Sequence, residues 1–148
     1  MASASSVSSA RRIACDHLQR VTHDAAYIER LSVDHSDPRV RRQTRELVAG
    51  VTRWRRWLDF LLADTYHGAY DSMEPRLRQI LRLGLYELLF QDTPARAAVH
   101  EYVELAKHTV RPGAAGLVNG VLRTLDRKRD NLPEPNTGDA AEDLAIRH

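Results

Sequence analysis

Residues 75–90 read PRLRQILRLGLYELLF. Pro75 suits the first turn of a helix, where its missing N–H costs nothing. Ser72 stands just upstream as a candidate cap. Leu77, Ile80, Leu81, Gly84, Leu85, Leu88 and Leu89 recur at helical spacing. That stripe is wide enough for a helix packed on more than one side. Gly84 costs about 1 kcal/mol relative to alanine inside a helix, and close approach of a neighbouring helix is the gain that fits. Arg76, Gln79, Arg82 and Glu87 fall mostly on the remaining surface. The stretch reads as the central helix of an all-α domain, with the other helices packed around it.

Upstream, Pro38 opens a long segment, 38–65, with apolar positions at Val40, Leu47, Val48, Val51, Trp54, Leu58, Leu61 and Leu62. Asp37 is the favoured cap, because Pro38 then takes the first helical position. Gly50 is a place for a kink or a division. The opposite face carries Arg41, Arg42, Arg45, Arg53, Arg55 and Arg56, and RWRRW (53–57) interleaves arginine with tryptophan. Such mixing suits single-stranded RNA, whose bases stack on aromatic rings. The plain alternative makes Trp54 and Trp57 core anchors. A first helix fits 10–23, capped by Ser8 or Ser9, with Ile13, Ala14, Leu18 and Val21 as its apolar face. Arg11 and Arg12 would then oppose the helix dipole in the first turn, so a polyanion is a candidate reason for them. A short helix fits Ala25–Leu31.

Downstream, QDTPAR (91–96) is a turn in which Asp92 or Thr93 caps a helix at about 94–110. A last core helix covers 113–129, where Asn119 is the polar residue among apolar neighbours; if buried, it must satisfy its amide on nearby backbone or an ionic partner. From Asp130 the chain is polar, acidic and Pro-rich, as a linker is. The reading is therefore a flexible 1–9, a compact bundle of about six or seven helices over 10–129, and an acidic linker or tail over 130–148.

The 148 residues can bury a core without metal or disulfide. With Cys15 as the single cysteine there is no internal disulfide, and a reducing compartment is expected. No apolar run approaches the roughly 20 residues of a membrane span, and the first ten residues lack a signal-peptide core, so a cytoplasmic chain is expected. Net charge is +2, but residues 1–56 hold 11 arginines against 6 acids, while 130–148 hold one arginine against five acids. Arginine forks match phosphate and stack on bases. A solvated helical face is the alternative. The seven histidines are scattered, so no metal site is expected. Cys15 on the apolar side of its helix reads as inert. There is no Gly-rich nucleotide loop. The residues describe a helical binding module rather than a catalyst.

LRLGLYELLF (81–90), PARAAVHEYVELAK (94–107) and AGLVNGVLRTLDR (115–127) together resemble the NusB family, over about residues 10–128 and in the family's order. The resemblance implies an all-helical RNA-binding fold. The family occurs as free-standing antitermination factors and as the N-terminal domain of RsmB-type ribosomal RNA cytosine-5 methyltransferases. GVTRWRRWLDFLL (50–62), Arg123 and the ending DLAIRH look like the methyltransferase branch. On that reading the chain stops short of the catalytic, S-adenosylmethionine-dependent part and holds no catalytic residue and no cofactor. The resemblance places RNA contact at Arg11 and Arg12, and the arginine face of 38–65, Arg41, Arg42, Arg45, Arg53, Arg55 and Arg56, is read as a second, weaker set. Alanine at 11 and 12 is expected to weaken RNA binding while leaving helicity intact. The resemblance also makes Asn119 the counterpart of the family's buried asparagine, with a structural role. The expected partner is ribosomal RNA or a leader transcript. A protein-interaction scaffold, binding a small-subunit ribosomal protein, is the alternative, and the oligomeric state is open.

Overall fold

In a computed structural model, residues 6–20 and 32–147 are described. Of the expected flexible stretch 1–9, residues 1–5 lie outside these residues, as do the helix at Ala25–Leu31 and Val21 on the first helix's apolar face; residues 6–9 lie inside the first helix, which starts at Ser6, so neither Ser8 nor Ser9 is its cap. The described chain forms α1 (Ser6–Arg20), α2 (Pro38–Thr65), a 3-10 turn (Tyr70–Ser72), α3 (Pro75–Phe90), α4 (Ala95–Thr109), α5 (Ala114–Arg127) and α6 (Ala140–Arg147). The expected all-α bundle is what is observed. Helix α3 runs through its centre and packs against α1, α2, α4 and α5, while α6 lies on α2. No helix among the described residues is long and apolar enough to cross a membrane.

The wide stripe of α3 explains this arrangement. Leu77, Ile80, Leu81, Leu83, Leu85 and Leu88 are all buried, so the helix has almost no solvent face. Arg82 and Glu87, expected on the surface, are buried with it. Helix geometry left them no outer side to occupy, and each is held by an ion pair described below. Ser72 does not cap α3. The cap position is Glu74, without a side-chain cap bond, and its carboxylate instead accepts from Arg111 Nη2 at 2.9 Å.

Helix α2 begins as its sequence requires. Asp37 is extended, its Oδ1 accepts from the Arg39 N–H at 2.9 Å, and Pro38 holds the first position. The helix then runs unbroken for 28 residues, so Gly50 neither kinks nor divides it. Gly50 is small because the Tyr86 ring of α3 lies where a Cβ would stand. Gly84 has the counterpart role, since a Cβ there would sit 2.6 Å from Leu122 Cδ1 of α5. Close approach of helices is thus the use of both residues.

Three other expectations change. Neither Asp92 nor Thr93 caps α4, whose cap position is Pro94 with no side-chain bond. The Thr93 hydroxyl is taken by Glu87. Asn119 is exposed, and its Oδ1 accepts from Arg123 Nε at 2.8 Å along the same helix. The buried side of α5 is Ala114, Val118, Val121, Leu122 and Leu125, and Asn119 lies about 100° from Val118 around the axis. The stretch read as an acidic linker contains α6. Its start is fixed by Asp139, whose Oδ1 accepts from the N–H groups of Ala141 and Glu142 at 2.8 and 3.2 Å. Ile146 packs against the core, and the Arg147 guanidinium lies 5.7 Å from the Trp57 ring centroid. Asp139 with Glu142 three residues on is a helix-start signature; the eight-residue length hid it among prolines.

The glycines give the first test. Gly50→Ala should lower stability by about 1–3 kcal/mol through overpacking against Tyr86. Gly120→Ala, where nothing stands within 4 Å of the new Cβ, should raise it by about 0.4–1 kcal/mol. Urea unfolding midpoints of the two variants should move in opposite directions.

Candidate nucleic-acid interface

The eight arginines singled out in the sequence divide into those spent inside the molecule and those left outside. Arg11 belongs to the first group. With α1 starting at Ser6, it lies in the second turn and points at α3, where it is buried. Its Nε donates to Glu87 Oε2 at 2.8 Å and its Nη2 to Glu87 Oε1 at 3.0 Å. Its Nη1 donates to Glu101 Oε1 at 3.3 Å. Thr93 Oγ1 donates to Glu87 Oε1 at 3.1 Å, and the Tyr102 hydroxyl donates to Oε2. Burial acts to lower the Arg11 pKa, but the hydrogen bond and charge of Glu87 outweigh it and raise it above the ordinary value. Tyr102 is raised well above its ordinary value by burial and then by Glu87. Arg11 is therefore corrected from an exposed phosphate contact to a buried brace.

A second cluster uses Asp59 of α2. Arg82 grips it with Nε to Oδ1 at 2.7 Å and Nη2 to Oδ2 at 3.0 Å, and the Tyr70 hydroxyl donates to Oδ1 at 2.6 Å. Burial and Asp59 push the Tyr70 phenol upward. Arg55 stands 3.5 Å from Asp59. Its own pKa is lowered by burial and by neighbouring Arg82. Arg41 is also partly engaged, donating through Nη1 to the carbonyls of His35 at 2.6 Å and Ser36 at 3.1 Å. It ties the loop before α2 to that helix.

The second group is Arg12, Arg42, Arg45, Arg53 and Arg56, all exposed. Arg42, Arg45, Arg53 and Arg56 fall within about 80° of one another around α2 and form a ridge about 21 Å long. Among the described residues, Arg12, Arg42, Arg53 and Arg56 have no carboxylate partner. Arg12 lines a groove between α1 and α4 of about 490 Å³, together with Glu101, Glu104, Leu105 and His108. Arg53, Arg55 and Arg56 line a different cleft, of about 470 Å³, between α2 and α6, with Trp54, Trp57 and Ile146. The two tryptophans separate: Trp57 is buried, whereas Trp54 is half-buried and stacks on exposed Phe90 at 4.8 Å between centroids.

The sequence reading missed Glu87, Asp59, Tyr70 and Tyr102 as the polar frame, and Phe90 as the partner of Trp54. One signal was available, since Glu87 stands inside the widest apolar stripe of the chain. A carboxylate there must be paired or pay a large desolvation penalty.

No three histidine, cysteine, aspartate or glutamate side chains among the described residues are grouped to hold a metal ion. Cys15 is buried, and burial pushes its thiol up to about 12.

The family model described as the NusB family matches residues 8–127. The chain is 35% identical over 100 residues to the ribosomal RNA small subunit methyltransferase B of Pseudomonas putida, covering 68% of this chain and 23% of that protein. It is 38% identical over 128 residues to a Synechocystis protein named as a probable ribosomal RNA small subunit methyltransferase B, covering 82% and 29%. With the ribosomal RNA small subunit methyltransferase B of Escherichia coli O157:H7 the identity is 38% over 96 residues, covering 64% and 22%. The chain thus spans less than a third of the length of these relatives.

Two outcomes follow from the buried groups. Arg11→Ala strands Glu87 without its cation and should cost about 3–5 kcal/mol. Arg12→Ala, on the surface, should stay within about 0.5 kcal/mol of the parent. Chemical denaturation followed by circular dichroism checks both. Cys15 should resist alkylation in the native chain and react once urea unfolds it. Its folded pKa is raised from 9.0 to about 12, so its contribution to stability is fully present below 9.0 and is lost as pH rises toward 12. Cys15→Ala should flatten that part of the stability–pH curve.

Proposed function

We propose that this chain, which belongs to the NusB family, is an RNA-binding helical domain serving ribosomal RNA modification, with small-subunit ribosomal RNA as its target. The observation that carries this reading is the exposed ridge of α2, where Arg42, Arg53 and Arg56 stand without carboxylate partners among the described residues. Guanidinium groups in that state are ready to exchange water for phosphate and release condensed counterions. The names of the relatives favour modification of ribosomal RNA over antitermination. In this reading the domain holds the RNA, while methyl transfer to a cytosine is the work of a catalytic domain acting with it. The α2 ridge ranks ahead of Arg12, whose groove also carries Glu101 and Glu104.

That same groove supports a second reading, the docking of a small-subunit ribosomal protein. It sets cationic Arg12 in one groove with two carboxylates around Leu105, a mixed surface better suited to a polypeptide than to a polyanion. Co-elution of the nuclease-treated chain with a purified small-subunit ribosomal protein, abolished by Arg12→Glu, is the expected result. No co-elution with the parent chain would exclude it.

A labelled fragment of small-subunit ribosomal RNA should shift in a gel with the parent chain. The affinity should fall with salt. Each α2 arginine replaced by alanine should reduce the log–log salt slope by about 0.7, hence by about 2 for Arg42, Arg53 and Arg56 together. Absence of any shift at low salt would remove the RNA reading.

A further inference from the structure

We infer that the cleft between α2 and α6 receives one unpaired nucleotide of the RNA, its base stacked on the Arg53 guanidinium and its phosphate held by Arg56. The inference rests on the RNA-binding reading above and adds what part of the RNA is recognised, and where.

Four planar groups are in successive contact at this edge of the molecule. Tyr86 stacks on Phe90 at 5.4 Å and 28°, Phe90 on Trp54 at 4.8 Å and 21°. The Arg53 guanidinium carbon lies 5.7 Å from the Trp54 centroid. The inner end is anchored, because Tyr86 occupies the space opposite Gly50 and its oxygen accepts from Gln91 Nε2 at 3.3 Å. The outer end is exposed Arg53. Arg53 is exposed and lines the cleft, so its guanidinium is accessible to another plane, and unpaired bases stack on arginine as they do on rings. A duplex keeps its bases stacked on each other and has no such plane to offer.

The cleft's charge suits a nucleotide. Arg53, Arg55 and Arg56 line it. The nearby carboxylate, Asp59, already accepts two bonds from Arg82 and one from Tyr70 and pairs with Arg55 at 3.5 Å, which leaves Arg53 and Arg56 in excess. Trp57 and Ile146 supply apolar wall. At about 470 Å³ the space falls in the range of small-ligand sites. Stacking plane, cation and apolar wall are the three elements that nucleotide recognition needs, and here six consecutive residues of one rigid helix bring most of them together.

The test uses the 148-residue chain, titrated with a single-stranded piece of small-subunit ribosomal RNA and with the same strand annealed to its complement. Tryptophan fluorescence and RNA anisotropy are read together. The single strand should quench the fluorescence and the duplex should not. Arg53→Lys keeps the charge but loses the plane. It should weaken single-strand binding about 5- to 100-fold with an unchanged salt slope, and Trp54→Leu should reduce the quench to what Trp57 contributes. Arg53 is exposed, so the lysine variant tests the inference even if Trp54→Leu fails to fold. Parent-like binding by Arg53→Lys, or equal quenching by duplex, would overturn the inference while leaving the RNA reading on charge alone. No binding of either RNA at low salt would overturn both. An acidic peptide that displaces the RNA and gives the same quench would reassign the cleft to a protein.

Discussion

The carboxylate of Glu87 sets the terms for the rest of the molecule. It sits at zero exposure within the most enclosed helix, where an unpaired charge would not survive folding. Four hydrogen bonds meet it: two from Arg11 of α1, one from Thr93 in the α3–α4 link and one from Tyr102 of α4. Leucine packing alone tolerates small slides and rotamer exchange. A bidentate arginine grip does not, since both N–H groups must stay aligned with both oxygens. The angle at which α1 crosses α3 and α4 therefore follows from one side chain. The Asp59–Arg82–Tyr70 cluster does the same for α2 and the turn before α3.

These two clusters change the meaning of the chain's arginine content. Charge totals treat every guanidinium alike, yet Arg11 and Arg82 are internal fasteners while Arg42, Arg53 and Arg56 face water. Arg76 is a third fastener, reaching Asp16 of α1 at 2.8 Å and Thr109 of α4 at 2.9 Å. Arginine can take both roles because its fork binds a carboxylate in two places and is only weakly hydrated. What separates the roles is whether the same face of the helix also carries leucines.

Much of the fold was legible because it is local. Asp37 before Pro38 announced α2, and the spacing of leucines from 77 to 89 announced that α3 is enclosed. Gly84 was legible as a point of close approach. Gly50 was misread as a break, since a sequence gives the glycine but not the Tyr86 ring that requires it. Arg11 and Glu87 were both read as surface residues for a related reason. Each looks polar in its own helix, and only the packed structure brings them together. Asn119 failed the other way: between Val118 and Gly120 it looks enclosed, but the helix turns it outward. The candidate interface was half legible. The interleaved RWRRW pointed to the right helix, while its division into buried Trp57 and half-buried Trp54 stacked on exposed Phe90 depends on α6 and α3.

The bond between Arg11 and Glu87 joins residues 76 positions apart, and the bond from Arg11 to Glu101 spans 90. Contacts of such sequence separation carry the loop-closure cost of everything between them before they give anything back. The hairpin of α4 and α5 is local and can form on its own clock, whereas α1 cannot be locked until α3 and α4 exist. On a ribosome, α1 is therefore made before the helices that fasten it, and its arginine waits while some ninety further residues are made. Assembly of this bundle closes at its beginning.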